Sequence, residues 1–138
     1  MSPASKKTTQ FKAIVLSGDQ TGRSIGFPTV NLEPDIFPSD FQQGIYACMV
    51  THKNENKSKS YMGALFYGPR LVKNEQQNVL EIHILDFDQN IYDHEIFFEI
   101  HDYIRDIKNF DTLEDLKAEI ARDIKKIRQL LGAKFATQ

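Results

Sequence analysis

The 138-residue sequence lacks the features that mark secreted and membrane-spanning proteins. Its one cysteine, Cys48, cannot form an intrachain disulfide, and the surrounding run GIYACMV favours a buried, reduced thiol. No apolar run approaches the roughly 20 residues that cross a bilayer, and the start MSPASKKTTQ has no hydrophobic segment of a signal peptide. We therefore predict a cytoplasmic protein with a disordered tail over residues 1–10 and one domain over residues 11–138.

A strong charge of either sign is also absent. The formal net charge of −2 argues against a surface built to neutralise nucleic-acid phosphates. No glycine is followed by lysine and then serine or threonine, so the sequence has no P-loop. We expect a monomer with neither a nucleic-acid partner nor a membrane partner.

Short β-type runs separated by polar stretches fill most of the chain before residue 105. Five of them are FKAIVLS, GIYACMVT, SYMGALFY, NVLEIHILDF and HEIFFEIHDYI. Because no helical pattern lies between them, they favour an antiparallel sandwich or a closed barrel.

The last part of the chain predicts one amphipathic helix that starts near Thr112. Asp111 or Thr112 can cap its start, with Glu114 or Asp115 completing a capping box, and Gly132 suits the C′ position. The segments EDLKAE and RDIKK are expected to form its solvated face. Its apolar stripe is predicted to contain Leu113, Leu116, Ile120, Ile124, Ile127 and Leu131.

The segment GRSIGFPTVNLE combines glycine, proline and small polar residues. Gly22 and Gly26 permit positive φ and close approach of a ligand, and Pro28 favours an extended backbone before it. If the chain stays extended afterwards, Thr29 and Asn31 point to the same side. Two neutral oxygen ligands suit a hard cation such as Mg²⁺, although threonine and asparagine are also common in turns and caps.

The strand NVLEIHILDF carries a second group of polar residues. Strand alternation puts Leu80, Ile82 and Ile84 on one face, and Glu81 and His83 on the other face among large apolar groups. Such a setting can make Glu81 a general base, but an exposed strand residue fits the pattern as well. For His83 a structural or surface role fits better than metal binding, because no second histidine or cysteine stands at metal-ligand spacing.

The connection IRDIKNFDTLEDL joins the last strand to the helix and carries Arg105, Lys108 and Phe110. Arg105 could bind a phosphate, and Phe110 could stack on the ring of a ligand. A surface charge and a hydrophobic anchor are the alternatives for these two residues.

In order, the segments GDQTGRSIGFPTVNL, GIYACMV, LEIHILDFDQNIYDHEI and IRDIKNFDTLEDLKAEIARDIKKIR resemble the riboflavin kinase family, from about Phe11 to about Leu131. The resemblance implies a mainly β fold, a six-stranded antiparallel Greek-key β-barrel with one long C-terminal α-helix. It also implies transfer of the ATP γ-phosphate to the ribityl 5′-hydroxyl of riboflavin, giving FMN and ADP. One departure is Ile107, where the family usually has a glutamate.

The resemblance further implies roles for individual residues. Thr29 and Asn31 would bind the metal, Mg²⁺ with Mn²⁺ or Zn²⁺ as alternatives, and Glu81 would be the catalytic base. The implied nucleotide-binding and flavin-binding residues are Gly18, Gly22, Arg23, Gly26, Pro28, Thr29, Arg105 and Phe110.

Two other functions are alternatives to the kinase. A non-catalytic β-barrel that binds a flavin or nucleotide as a sensor would differ from it only by the lack of turnover. An oligonucleotide-binding barrel would have aromatic residues interleaved with lysine and arginine, whereas the aromatic residues here alternate with aliphatic residues or lie beside acids. Because the sequence has no His-x-Gly-His element, which the adenylyl-transfer domain of bifunctional relatives carries, we expect the reaction to stop at FMN.

Overall fold

The computed structural model describes residues 10–16, 26–69 and 77–135. Gly18, Gly22 and Arg23, predicted above to bind the nucleotide, lie outside the described residues, as do residues 1–9 of the expected tail. No helix within the three described ranges is long and apolar enough to cross a membrane. The elements are β1 (Gln10–Ile14), β2 (Val30–Leu32), a 3₁₀ turn (Pro34–Ile36), β3 (Gly44–Asn54), β4 (Lys57–Gly68), β5 (Val79–Ile84), β6 (Glu95–Arg105) and α1 (Leu113–Phe135).

The six strands form one antiparallel sheet in the order β1-β6-β3-β4-β5-β2. The sheet curls into a half-barrel, and its two outer strands approach each other where the backbone N–H of Leu16 donates to the carbonyl of Asn31 at 2.8 Å. The predicted fold class, a mainly β antiparallel barrel with a C-terminal helix, is confirmed.

The main core lies inside the curl of the sheet. β5 illustrates how alternation builds it, because Leu80, Ile82 and Ile84 are buried whereas Glu81 and His83 are half-buried on the opposite face, as predicted. Other residues of this core include Phe11, Val15, Leu32, Phe37, Val50, Leu65, Ile96 and Phe98.

A second core lies between the outer face of the sheet and α1, which packs on β4 and β6. Ile127 and Leu131 are fully buried there against Ile45, Ala47 and Ile104. Burial of one such aliphatic side chain contributes about 1.5–3 kcal/mol. These contacts hold the helix across one end of the sheet.

Helix α1 begins as predicted but ends later. The backbone N–H of Asp115 donates to Thr112 Oγ1 at 3.0 Å, so Thr112 is the N-cap. Gly132 is not the C′ residue, because the helix continues for three residues beyond it. In this added turn the Lys134 ammonium lies 3.7 Å from the Asp102 carboxylate of β6, which gives the longer helix a tertiary contact.

The burial pattern of α1 also corrects the predicted faces. Leu113 is 57% exposed, because the apolar contacts of the helix with the second core begin only at Ile124. Glu119 and Asp123 were expected on the solvated face but are 8% and 5% exposed. Their burial is possible because Arg105 of β6 pairs with both carboxylates.

Candidate active site

Three predicted site residues meet where β2 pairs with β5. Asn31 lies directly opposite Glu81 in this pairing. The Thr29 hydroxyl donates to Glu81 Oε1 at 3.0 Å, although the two residues are 52 positions apart in the chain. We call Thr29, Asn31 and Glu81 the Glu81 cluster. It brings together the predicted metal ligands and the predicted base.

Pro28 and His83 hold the backbone that presents Thr29. His83 Nδ1 donates to the Pro28 carbonyl oxygen at 2.7 Å, and the Phe27 ring meets the His83 ring edge-on at 5.6 Å. Burial lowers the pKa of His83, and the hydrogen bond to Pro28 opposes this shift. His83 therefore has a structural role, as predicted, but its partner is a backbone carbonyl that the sequence did not indicate.

Gly26 begins the second described range, just before this backbone. Its φ is +92°, a conformation that favours glycine over residues with a side chain. The prediction that the segment needs a flexible residue at this point agrees with this angle. The structure does not describe the other two glycines of the predicted nucleotide loop, Gly18 and Gly22.

The Glu81 cluster lies on the outer face of the sheet, the face that α1 covers elsewhere. Glu81 pairs with Phe66 of β4, and Phe66 packs against the second core under α1. Directly opposed residues of antiparallel strands project to the same face, so Glu81 shares this surface with Phe66. The Glu81 cluster therefore lies on the same surface as the second core.

A pocket adjoins Thr29 on its other side. It begins at Pro28 and Thr29, and its far wall is the turn that follows β5, from Phe87 to Tyr92. Its lining combines the apolar Ile82 and Ile84 with the polar Asp88, Gln89 and Asn90. The pocket has the mixed lining that is typical of small-ligand sites.

Arg105 and Phe110 belong to a separate group of residues at α1. Arg105 donates to both carboxylate oxygens of Asp123 at 2.8 Å, and its guanidinium carbon lies 6.0 Å from the centre of the Phe110 ring. Glu119 accepts from Lys108 at 3.2 Å and also from Arg122. We call these residues the Arg105 cluster: Arg105, Lys108, Glu119, Arg122 and Asp123.

The pKa values of the two carboxylates in the Arg105 cluster are shifted in opposite directions. The hydrogen bond from Arg122 lowers the pKa of Glu119. Burial raises the pKa of Asp123, although the hydrogen bond from Arg105 works against it. Arg105 thus links the end of β6 to α1.

The strand register relates the two clusters. Arg105 pairs with Ile45, Ile45 pairs with Phe66, and Phe66 pairs with Glu81, so one row crosses four neighbouring strands. Three strand spacings separate its ends, or about 14 Å along the sheet. The structure therefore brings Arg105 and Phe110 together on the outer face, but it does not bring them into the Glu81 cluster.

A network that sequence reasoning missed holds the loop after Arg105. Gln42 donates to Asp106 at 3.0 Å, Tyr103 donates to the same carboxylate, and Tyr46 donates to the Gln42 carbonyl at 2.6 Å. Burial, followed by the hydrogen bond to Asp106, raises the pKa of Tyr103 to about 12. In the sequence, the network is indicated only by Tyr46 and Tyr103 on two predicted strands, and this pattern does not identify their hydrogen-bond partners.

The fold and the Glu81 cluster together define a small antiparallel β domain with an oxygen-rich site on its outer face. The sequence model of the flavokinase family, riboflavin kinase, matches residues 5–131. The chain therefore belongs to the riboflavin kinase family.

Curated relatives agree with this assignment. The chain is 37% identical over 115 residues to the trifunctional protein RibF/MnmA of Mycoplasmoides gallisepticum, covering 83% of this chain and 17% of that protein. It is 34% identical over 121 residues to the bifunctional riboflavin kinase/FMN adenylyltransferase of Haemophilus influenzae, covering 86% of this chain and 37% of that protein. The chain thus spans a minor part of the length of these relatives.

A solved structure supports the fold. The riboflavin kinase of Trypanosoma brucei superimposes with a TM-score of 0.66 at 21% sequence identity, over 88% of this chain and 78% of that one. At this identity the likeness concerns the arrangement of strands and helix.

Proposed function

We propose that the protein is an ATP-dependent riboflavin kinase that transfers the γ-phosphate of ATP to the ribityl 5′-hydroxyl of riboflavin, giving FMN and ADP. The observation that carries the proposal is the meeting of Thr29, Asn31 and Glu81 on adjacent strands. Membership in the riboflavin kinase family supports the same reaction. The sensor alternative has no observation of its own in its favour.

Glu81 is the proposed general base. As the 5′-oxygen forms its bond to the γ-phosphorus, the bond from that phosphorus to the leaving ADP oxygen breaks, and the hydroxyl proton passes to the Glu81 carboxylate. The hydrogen bond from Thr29 to Oε1 orients the carboxylate. Most of the acceleration would come from positioning the two reactants, as is general in phosphoryl transfer.

Thr29 and Asn31 fit a divalent metal. The Thr29 hydroxyl keeps lone pairs while it donates to Glu81, and the Asn31 side chain offers an amide oxygen on the same face. Such hard oxygen donors favour Mg²⁺ or Mn²⁺ over Zn²⁺, which commonly takes cysteine or histidine ligands. When bound, the metal supplies charge stabilisation to the phosphates.

The surroundings suggest where each substrate lies. The pocket beside Thr29, bounded by Phe87 to Tyr92, is suited to the nucleotide, because it adjoins the proposed metal site. Riboflavin would occupy the open outer face between Glu81 and the loop after Arg105. Phe110 and the neighbouring apolar groups can shelter the isoalloxazine ring there.

We also propose that the protein acts in the cytoplasm as a monomer. The buried free thiol of Cys48 supports a reducing compartment, because oxidation there would require the core to open. Size-exclusion chromatography with light scattering would measure the mass of the purified protein, and a dimer would contradict this part of the proposal.

The kinase proposal is tested by incubating the purified protein with riboflavin, ATP and Mg²⁺, then separating the flavins and nucleotides by chromatography. We expect FMN and ADP to appear in equal amounts, and neither to appear when the metal is chelated. Tight flavin binding without FMN formation would overturn the kinase proposal in favour of the sensor.

A further inference from the structure

Ile107 lies unusually close to the sheet, two residues after Arg105. Its Cδ1 atom occupies the space that the Cβ of any larger residue would need at position 68, where the chain has glycine. Gly68 also has a φ of +146°, which favours glycine for a second reason. The side chain of Ile107 therefore rests directly on the backbone at the end of β4.

The register shows that this contact lies beside the Glu81 cluster. Gly68 pairs with Val79, and the next pair on the same face joins Phe66 to Glu81. Residues two apart on a strand are separated by about 7 Å. Ile107 thus lies on the face of Glu81, one pair further along the sheet, beside the position proposed above for riboflavin.

Ile107 is also held in place before any substrate binds. Arg105 is tied to Asp123 on α1, and Asp106 accepts from Gln42 and Tyr103. These contacts fix the two residues that precede Ile107. Its side chain is half-buried, so part of its apolar surface remains exposed on this face.

We propose that Ile107 is a specificity-determining residue, and that it forms an apolar wall against the dimethylbenzene edge of the isoalloxazine ring. This inference rests on the proposed riboflavin kinase function. An isoleucine side chain has no hydrogen-bonding group, so the pyrimidine edge of the ring would leave its carbonyl and N–H groups unpaired against it. The edge with two methyl groups gains from the same contact.

The test compares riboflavin with its analogue that lacks both ring methyl groups but keeps the ribityl chain. For each flavin, kcat/KM is measured by FMN-type product formation, and Kd is measured without ATP or metal by quenching of flavin fluorescence. The parent protein should prefer riboflavin by about tenfold, because small losses of apolar contact in a pocket have effects of this order. The variant Ile107→Ala should reduce this preference to about two- to threefold.

Ile14→Ala serves as the matched control, because Ile14 is an isoleucine on β1 with 47% exposure and no place in either cluster. It should keep the full preference for riboflavin. If Ile107→Ala lowers kcat/KM equally for both flavins, Ile107 only anchors the loop and the inference is wrong. If that variant does not fold, Ile107→Val, which removes one methyl group, replaces it. A smaller loss of the preference for riboflavin supports the inference, and an unchanged preference overturns it.

The two proposals fail in different ways. A parent protein that phosphorylates riboflavin but does not distinguish the two flavins overturns the inference and leaves the kinase proposal standing. A parent protein that binds both flavins without phosphorylating either overturns the kinase proposal, and the Kd ratio then still decides the role of Ile107. Failure to bind either flavin overturns both.

Discussion

The Glu81 cluster and the Arg105 cluster lie on the same face of one sheet but differ in how their charges are balanced. The Glu81 cluster contains one acidic and two neutral side chains on paired strands. The Arg105 cluster contains three cations and two carboxylates, and its contacts join a strand, a loop and a helix. The first contains the oxygen atoms that we propose bind the metal and accept the transferred proton. The second uses its charges to hold the fold together.

This difference has a measurable consequence. Changes in the Glu81 cluster should lower activity and leave stability nearly unchanged, because no buried charge loses its partner. Changes in the Arg105 cluster should lower stability first, because a buried guanidinium would remain without one of its carboxylates. Measurements of both activity and stability should therefore distinguish variants of the Glu81 cluster from variants of the Arg105 cluster.

The largest effect is expected from Glu81→Gln. The variant keeps the shape of the side chain and can still accept a hydrogen bond from Thr29, but it cannot take the proton of the attacking hydroxyl. We expect kcat to fall by about 10²- to 10⁴-fold, with riboflavin affinity and melting temperature close to those of the parent. Steady-state kinetics, fluorescence titration and thermal unfolding measure the three quantities.

Glu95→Gln is the matched control, because Glu95 is an exposed carboxylate on β6 whose ion pair with Lys12 is 3.8 Å long. It should have parental kcat. Turnover of Glu81→Gln within a few-fold of the parent would show that Glu81 is not the base.

Some features of the Glu81 cluster could be predicted from the sequence and others could not. Strand alternation assigned the face of Glu81, and the two-residue spacing assigned Thr29 and Asn31 to a common side. The pairing of Asn31 with Glu81 is a long-range register, which one sequence does not encode in a local pattern. The family resemblance implied a role for each residue but did not predict this pairing. The bond from His83 to the Pro28 carbonyl was missed because a backbone acceptor has no sequence signature.

The Arg105 cluster shows a different limit. Helical periodicity correctly placed Ile127 and Leu131 in the core, but it assigned Glu119 and Asp123 to solvent. A carboxylate can be buried when a cation from a distant strand meets it, and periodicity within the helix carries no information about that strand. The helix also continues past Gly132, and in this added turn Lys134 pairs with Asp102 of β6, a contact between distant segments that helix periodicity does not indicate.

The next effect in size is expected from Asp123→Ala. Arg105 and Asp123 have side chains that are 14% and 6% exposed, so the variant leaves a largely buried guanidinium with Glu119 as its remaining carboxylate. We expect a loss of about 2–4 kcal/mol in the free energy of unfolding, measured by urea denaturation. The melting temperature should fall by roughly 8–16 °C.

Asp86→Asn tests whether burial is the cause of this loss. Asp86 pairs with Arg128 of α1 at 2.9 Å through two hydrogen bonds, but both side chains are exposed. Asparagine tolerates the positive φ of 58° at this position. A fall in melting temperature as large as that of Asp123→Ala would mean that the helix contact, not burial, determines the effect.

A smaller effect is expected from Asn31→Ala. The variant removes one proposed metal ligand, so the Mg²⁺ concentration for half-maximal rate should rise by roughly tenfold or more. Affinity for riboflavin, measured without metal, should change much less. Asn54→Ala, at the exposed end of β3, provides the control and should have the parental Mg²⁺ titration. Parental titrations in both Asn31→Ala and Thr29→Ala would rule out this pair as the metal site.

The smallest effect concerns pH. His83, beside the Glu81 cluster, and Asp123, in the Arg105 cluster, should contribute to the pH dependence of stability with opposite signs. Burial lowers the pKa of His83 below its ordinary value of 6.5, so below that pH the unfolded chain binds a proton that the folded chain excludes. The stability contributed by His83 therefore falls as the pH drops from 6.5 towards the folded pKa. Burial raises the pKa of Asp123 above 3.8, so as the pH falls this carboxyl binds a proton in the folded chain before it does so in the unfolded chain. The contribution of Asp123 to the stability of the folded chain therefore increases as the pH falls.

His83→Asn isolates the first of these two contributions. The asparagine amide can still donate to the Pro28 carbonyl, but it does not titrate. Melting temperatures measured from pH 7 to pH 5 should fall less steeply for this variant than for the parent. The slope should not vanish, because burial also lowers the pKa values of His52 and His101. An unchanged slope would mean that the pKa of His83 is the same in the folded and unfolded chains. Burial of the ring would then not affect its protonation.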